Sequence, residues 1–340
     1  MNPVAVTGAS GFIGRNLCDH LREKGVPVRA IVRRPADTPQ AGVDYRVLGA
    51  DWEESALVQA FAGCEAVVHL AGRAHIMRDR EQNPLEQYRR HNRDLALRAA
   101  RAALKAGTRR FIFLSTVKVM GEKPGHYFPE QKPEPTDPYG LSKWEAEQGL
   151  QEIFVPGQDS RCIVFRIPMV YGPGNKGNML PLLDAATRDL PLPLAAAKGK
   201  RSLIFSGNLV SALFTSLTET PEPQPSLETF FLTDGHDLTS AELYDGLCRA
   251  ASGKPRSFWI PEGLLRLGGQ AGSVIKRLSG AGIPLNNAVI ARLFDEYRFQ
   301  AEHFSKRYNW QPPFSQQEAF QKTVAWLRQR STPVRAEAKG

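Results

Sequence analysis

The stretch "VAVTGASGFIG" (residues 4–14) decides the fold. A short apolar run, "VAVT", ends in a glycine-rich turn, and a helical pattern opens near Phe12. Gly8, Gly11 and Gly14 stand three residues apart. In a strand–turn–helix unit the first glycine permits a tight turn and the second lets backbone approach a pyrophosphate. The third lets the helix pack close to the strand. The amide groups of the helix N-terminus then face an anion. Three glycines alone are a weak signal; the flanking strand and helix make this a dinucleotide cradle.

Working outward, short β-branched runs alternate with helical segments. Strands are expected at 4–8, 28–32, 44–50, 66–72, 110–116 and 162–172, with helices near 12–24, 53–62, 84–106 and 138–154. Alternation of this kind predicts an α/β, Rossmann-type doubly wound parallel sheet with helices on both faces. Beyond residue 172 Pro and Gly thicken and the rhythm loosens. Residues 1–172 are therefore expected to form the cofactor domain and to include the catalytic residues. Residues 173–330 are expected to be mainly a substrate-binding lobe, with some segments returning to the sheet, and 331–340 a frayed tail. A strand is expected at "FFLTDG" (230–235). "TSAELYDGLCRAAS" (239–252) reads as a helix with a Thr/Ser cap and a Glu just inside it.

The 340 residues carry 44 Lys+Arg against 35 Asp+Glu, a net charge of +9. The densest basic stretch, 78–110, also carries acids at helical spacing and reads as a solvated helix face rather than a nucleic-acid groove. No groove motif or stacking platform is evident. The amphipathic, basic segment 263–282 reads as a lid or lobe helix, with a partner or membrane surface as the alternative. No apolar run approaches the roughly 20 residues of a membrane span, and the strand beginning at residue 3 leaves no room for a signal peptide. A cytoplasmic location without stable membrane insertion is expected. The four cysteines form no metal-ligand cluster and are read as reduced thiols.

Two further stretches carry chemistry. "AIVRRPAD" (30–37) ends the second strand with Arg33 and Arg34. An acid near this position takes the ribose 2′-hydroxyl of NAD, whereas an Arg accommodates the 2′-phosphate of NADP. The pair favours NADP(H) over NAD(H), with solvated surface arginines as the bland alternative. "YGLSK" places Tyr139 and Lys143 four apart, on one face of a helix. A free phenol titrates near pH 10; a neighbouring ammonium is expected to lower that value, fitting the phenol for proton transfer to a carbonyl oxygen.

Together the G-x-x-G-x-x-G cradle, "HLAG" (69–72), "LST" (114–116) and YxxxK 23 residues later resemble the extended short-chain dehydrogenase/reductase family. That family is the NAD-dependent epimerase/dehydratase group of nucleotide-sugar epimerases, dehydratases and reductases. The resemblance runs from Asn2 to about Arg328. It implies a catalytic set of Thr116, Tyr139 and Lys143, with Ser115 nearer the nicotinamide. Around the cofactor it implies Ser10, Phe12 and Ile13 beside the three glycines, and Asp51 and Trp52 on the adenine side. It also implies Leu70, Ala71 and Gly72 at the fourth strand end, with Asn92 and Ile167 nearby. Val32 stands where the family's NAD-binding epimerases have an acid. Lys118, Asn178 in "YGPGNKGNML" and Arg201 in "KGKRSLIFSGNLV" fall on the substrate side, the last two on positions that touch a nucleotide-sugar diphosphate.

Family dehydratases look like "S-T-D-E" where this chain has Ser115, Thr116, Val117 and Lys118, so a dehydratase is not expected. At Asn208–Ser211 many relatives carry an Asp that this chain lacks. "HLAGRAHIMRD", "STVKVMGE" and "DPYGLSKWEAEQGL" look most like bacterial surface-polysaccharide (O-antigen) enzymes that reduce the C4 ketone of UDP-N-acetyl-4-keto-6-deoxyhexosamines. A UDP-sugar 4-epimerase using NAD is the alternative. A cofactor-sensing binding protein is a third reading, of another class. The family also implies a homodimer through helices 84–106 and 138–154.

Overall fold

The computed structural model describes residues 2–35, 38–49, 51–73, 83–175, 179–265 and 293–331. The first strand, β1 (Val4–Thr7), leads into α1 (Phe12–Glu23), followed by β2 (Val28–Val32), β3 (Val43–Val47), α2 (Glu54–Phe61) and β4 (Ala66–His69). Next come α3 (Pro84–Tyr88), a π-helical stretch (Arg89–Asp94), α4 (Leu95–Lys105) and β5 (Arg110–Thr116). A 3₁₀ turn (Val117–Met120), β6 (Gly125–Tyr127), α5 (Pro138–Ile153) and β7 (Arg161–Ile167) complete the first half. The described remainder comprises β8 (Met169–Tyr171), α6 (Met179–Thr187), β9 (Lys200–Arg201), β10 (Leu203–Phe205), α7 (Ser206–Thr218), β11 (Leu227–Phe231) and β12 (Leu238–Thr239). After these come α8 (Ser240–Ser252), β13 (Tyr297–Phe299), α9 (Glu302–Tyr308) and α10 (Gln316–Ser331).

Seven strands form one parallel sheet in the order β11-β7-β5-β4-β1-β2-β3. The order reverses at β1, which lies between β2 and β4, and the carboxyl ends of such strands frame a ligand crevice. Both faces are covered. Val4, Val6, Val68, Ile112 and Leu114 pack with Leu17 and Leu21 of α1 and Leu209 and Leu213 of α7. The alternate residues Ala5, Val67, Phe111 and Phe113 pack with Leu57 of α2, Ala99 and Ala103 of α4, and Ala146 and Leu150 of α5. Burial on two faces is why these strands read as continuous apolar runs.

The run 162–172 is two strands rather than the single one expected. Pro168 has no N–H for the ladder; β7 stays in the main sheet, while β8 pairs with β10 in a separate two-stranded sheet. The strand expected at 230–235 lies earlier, at β11, where it forms the edge of the main sheet beside β7. A four-stranded sheet, β12-β9-β13-β6, draws its members from distant parts of the chain, including the Pro-rich loop before α5. α8 begins with the expected capping box: Thr239 Oγ1 accepts from Glu242 N at 3.1 Å, and Thr239 N donates to Glu242 Oε2 at 2.8 Å. Most of the amphipathic segment 263–282, and the tail beyond 331, lie outside the described residues.

The basic helical stretch is tied to acids. Arg89 and Arg93 bond Glu145, while Arg101 and Lys105 bond Glu54. Near the expected gap at Asn208, its Nδ2 donates to Asp234 Oδ1 at 2.8 Å. Thus a carboxylate reaches this position from the segment after β11. No helix among the described residues is long and apolar enough to cross a membrane.

Candidate active site

The glycine cradle has the geometry its spacing predicts. Gly8 has φ +68°, and a Cβ there would lie 2.8 Å from the amide nitrogen of Ala71. A Cβ on Gly14 would strike the carbonyl oxygen of Gly8, so that glycine sets the approach of α1 to β1. Gly11 is the N-cap of α1; no side chain caps the turn and no acid lies within it. Uncapped amides and the positive end of the helix dipole suit a pyrophosphate. Ser10 is exposed beside the turn, and its carbonyl accepts from Arg15 Nε at 3.3 Å. Phe12 and Ile13 are half-buried in the first turn.

The neighbouring strand end is locked from below. Thr7 Oγ1 accepts from the amides of Leu70 at 3.1 Å and Ala71 at 3.2 Å. Its proton is then left for Nδ1 of the fully buried His69, 3.1 Å away. Burial drives the His69 pKa down to about 3, so the ring is neutral. Gly72 is exposed, and a Cβ on it would lie 2.8 Å from Asn92 Oδ1. Asn92, fully buried in the π-helical stretch, clasps the chain after β4. Its Oδ1 accepts from Arg73 N at 2.8 Å, while Nδ2 donates to Arg73 O at 3.2 Å and to Ser142 Oγ at 3.0 Å.

Farther along the crevice, Arg33 and Arg34 are exposed just past β2. Among the described residues neither guanidinium has a polar partner. Asp51 is also exposed, but it is paired with Arg90 at 2.6 Å. The Trp52 indole is buried in the core, and its Nε1 donates to Gly49 O at 3.1 Å.

Thr116 and Tyr139 come together where β5 ends and α5 begins. Thr116 Oγ1 accepts from Lys118 N at 3.3 Å, capping the 3₁₀ turn. Asp137 caps α5 by accepting from Gly140 N at 2.9 Å, with Pro138 at the first helical position. Tyr139 is half-buried and hydrogen-bonded to Thr116. The ring of Tyr88 meets it edge-on, centroids 5.9 Å apart. Ile167 is level with Thr116 in the sheet register.

The expectation that Lys143 lowers the Tyr139 pKa does not hold in this geometry. Lys143 Nζ donates to Leu114 O at 2.9 Å and lies 4.5 Å from the centroid of Phe113. Burial pushes the Tyr139 phenol up to about 12, with the Thr116 hydrogen bond acting the other way. Burial also pulls Lys143 down to about 8, opposed by Glu147. Ser115 lies beside Thr116 on β5. Neighbours on a strand point to opposite faces, and the Ser115 hydroxyl donates to Glu147. Lys118 is occupied by Asp137, at 2.9 Å, and by Glu122.

Half-buried Arg201, expected on the substrate side, pairs in register with Tyr297, whose hydroxyl donates to Gly121 O beside the 3₁₀ turn. Asn178 lies outside the described residues. Sequence reading missed Gly140, Tyr88 and Arg73, whose places depend on tertiary contacts. It also missed the buried pair Glu147–Arg166, although Glu147 stands four residues past Lys143 and Arg166 interrupts an apolar strand.

The fold and its glycine cradle define a dinucleotide-binding α/β protein. Residues 4–226 match the NAD dependent epimerase/dehydratase family, and the chain belongs to that family of extended short-chain dehydrogenase/reductase enzymes, which use a nicotinamide cofactor. It is 31% identical over 329 residues to a UDP-glucose 4-epimerase from Vibrio cholerae, covering 94% of each chain. It is 26% identical over 281 residues to a UDP-2-acetamido-2,6-beta-L-arabino-hexul-4-ose reductase from Pseudomonas aeruginosa, covering 76% of this chain and 65% of that one. Among solved structures, MoeE5 in complex with UDP-glucuronic acid and NAD superposes with a TM-score of 0.72 at 21% identity, over 96% of this chain and 99% of that one.

Proposed function

We propose that the protein reduces the C4 ketone of a UDP-linked N-acetyl-4-keto-6-deoxyhexosamine with NADPH. The product is the corresponding 4-hydroxy sugar, UDP-N-acetylquinovosamine or UDP-N-acetylfucosamine. The observation that carries this reading is the exposed Arg33–Arg34 pair past β2, where a 2′-phosphate would be met by two forks of donors. A reductase consumes its cofactor at each turnover and draws on the cellular NADPH pool.

The bound cofactor would supply a hydride to C4. Gly8, Gly11 and the first turn of α1 would hold its pyrophosphate. Thr116 would hydrogen-bond the ketone oxygen and present it to Tyr139. Tyr139, its phenol held up at about 12, keeps its proton at neutral pH and can donate it to that oxygen. The ketone gains one hydride and one proton, and the phenol regains its proton from solvent. Lys143 would help hold the nicotinamide ribose and would supply a positive charge there. Arg201 would take diphosphate oxygens on the far side.

A second reading, a UDP-sugar 4-epimerase retaining NAD, is favoured by the 31% identity to the Vibrio cholerae epimerase. There Tyr139 must first accept a proton from the sugar, which asks for a phenolate. The positive ring of an oxidised nicotinamide would favour that state.

The experiment mixes purified protein with UDP-4-keto-6-deoxy-N-acetylglucosamine and either NADPH or NADH, follows nicotinamide absorbance and identifies the sugar. Stoichiometric loss of NADPH, with NADH much poorer, is expected. Interconversion of a UDP-hexose pair without added cofactor, and no nicotinamide loss, would establish the epimerase. Tyr139→Phe should bind cofactor and lose turnover.

A further inference from the structure

A buried ion pair lies directly behind the catalytic helix. Arg166 Nε and Nη2 donate to Glu147 Oε2 at 3.0 and 2.7 Å, with the side chains 8% and 2% exposed. Ser115 adds a third donor to the same carboxylate. The guanidinium is sandwiched near Trp144 and Phe231, 5.7 and 5.9 Å from the ring centroids, with Met120 Sδ at 3.5 Å from Nη1. Burying two charges costs more than a simple structural contact recovers, and apolar residues of similar volume often do as well. This pair calls for another reason to be there.

Its placement gives one. Tyr139, Lys143 and Glu147 recur every four residues and so share one face of α5. Lys143 is buried, and its ammonium has Leu114 O and the Phe113 ring as neighbours rather than an acid in contact. We propose that Glu147 is a positioning residue for Lys143. Its carboxylate, fixed by Arg166 and Ser115 one helical turn away, supplies the field that keeps the Lys143 ammonium charged in its buried seat. Lys143 in turn acts on the cofactor, so the functional part of this inference rests on the reading above.

The groups facing Lys143 are few. On β4, His69 is neutral. On α5, Tyr139 is a neutral phenol and Glu147 the acid. From the strand side Leu114 offers a carbonyl and Phe113 the face of its ring. Arg166, also from β7, is engaged by Glu147. Burial lowers the Lys143 pKa and Glu147 is the charge that raises it.

The test follows the ε-carbon resonance of Lys143 against pH in ¹³C-lysine-labelled protein without cofactor, assigned through Lys143→Arg. Glu147→Gln keeps the shape and removes the charge. Its Lys143 midpoint is expected to fall by about one unit or more, the shift an opposite charge at this range produces. The alkaline limb of turnover should move down by a similar amount, and Glu147→Asp should restore part of it. If Glu147→Gln fails to fold around an unpaired Arg166, the double variant Glu147→Gln/Arg166→Met removes both charges; loss of the Arg166 cation offsets part of the effect, so a smaller fall in the same direction is expected. A midpoint unmoved in a folded variant overturns the proposal and assigns the pair a purely structural role. Because that midpoint is read without substrate or cofactor, it stands or falls independently of the reaction proposed above.

Discussion

A Cβ placed on Gly140 would lie 2.6 Å from the carbonyl oxygen of Lys118. This close approach seats the 3₁₀ turn after β5 against the first turn of α5, and it is what brings Thr116 to Tyr139. Gly140→Ala must push the two apart. A loss of stability of about 1–3 kcal/mol is expected, as for other overpacked sites. Turnover should fall at least tenfold while dinucleotide affinity, set at α1, changes little. Denaturant melts, cofactor titration and kcat measured side by side would check this. Equal loss of cofactor binding would contradict it.

The buried lysine makes stability depend on pH. Its folded pKa, about 8, lies below the ordinary lysine value of 10.5. Below pH 8 both folded and unfolded chains carry the proton, and the folded state bears the full cost of the buried ammonium. Between pH 8 and 10.5 the unfolded chain holds more protons, so this contribution improves stability as pH rises. Lys143→Met removes the charge and also the bond to Leu114 O. It should be about 1–3 kcal/mol more stable than wild type at pH 7, with the advantage shrinking toward pH 10. Urea denaturation at both pH values measures it. Tyr139 acts in the opposite sense at higher pH: its raised pKa contributes stability below pH 10 that is lost as pH climbs through about 12.

The sheet and cradle were legible because their determinants are local. Gly8, Gly11 and Gly14 lie within one turn, and the runs at 28–32 and 110–116 are apolar on both strand faces. The Tyr139–Lys143 spacing likewise fixes one helix face. What sequence could not show arises between distant segments. The direction of the Lys143 ammonium depends on Leu114 and Phe113 of another element, so adjacency on the helix gave the wrong sign for the phenol. Strand alternation foretells that Ser115 and Thr116 diverge, but not that Ser115 meets Glu147. β6 and β13, three residues each, carry too short a pattern to read, and pair across more than half the chain.

Asn92 offers a test of the crevice wall. It makes three bonds while fully buried, so truncation strands the Arg73 amide and takes one donor from the Ser142 hydroxyl, which still donates to Tyr139 O. Asn92→Ala should cost about 2–4 kcal/mol, the sum of an unsatisfied amide and a lost side-chain bond. The chain at Gly72 and Arg73 should then exchange amide protons faster than the strands beneath it, while α1 keeps its protection. Hydrogen-exchange mass spectrometry resolves the two regions. Uniform loosening of both would show Asn92 to be a general core residue rather than a clasp on this stretch.

Arg33 and Arg34 give the test of the proposed NADPH preference. Both are exposed, and among the described residues neither is spoken for by an acid, unlike Arg90 with Asp51 or Arg89 with Glu145. A charge-assisted hydrogen bond to phosphate is worth about 1.5–3 kcal/mol. Replacing both by Ala should therefore raise the Kd for NADPH by roughly 10- to 100-fold. NADH has no 2′-phosphate and should bind the variant as it binds wild type. The loss should also be steeper at low ionic strength, where exposed charges are least screened. Titrating both dinucleotides by fluorescence, at two salt concentrations, separates a phosphate site from a pair of surface charges. An equal, small change for both dinucleotides would remove the argument for NADPH and leave the epimerase reading the stronger.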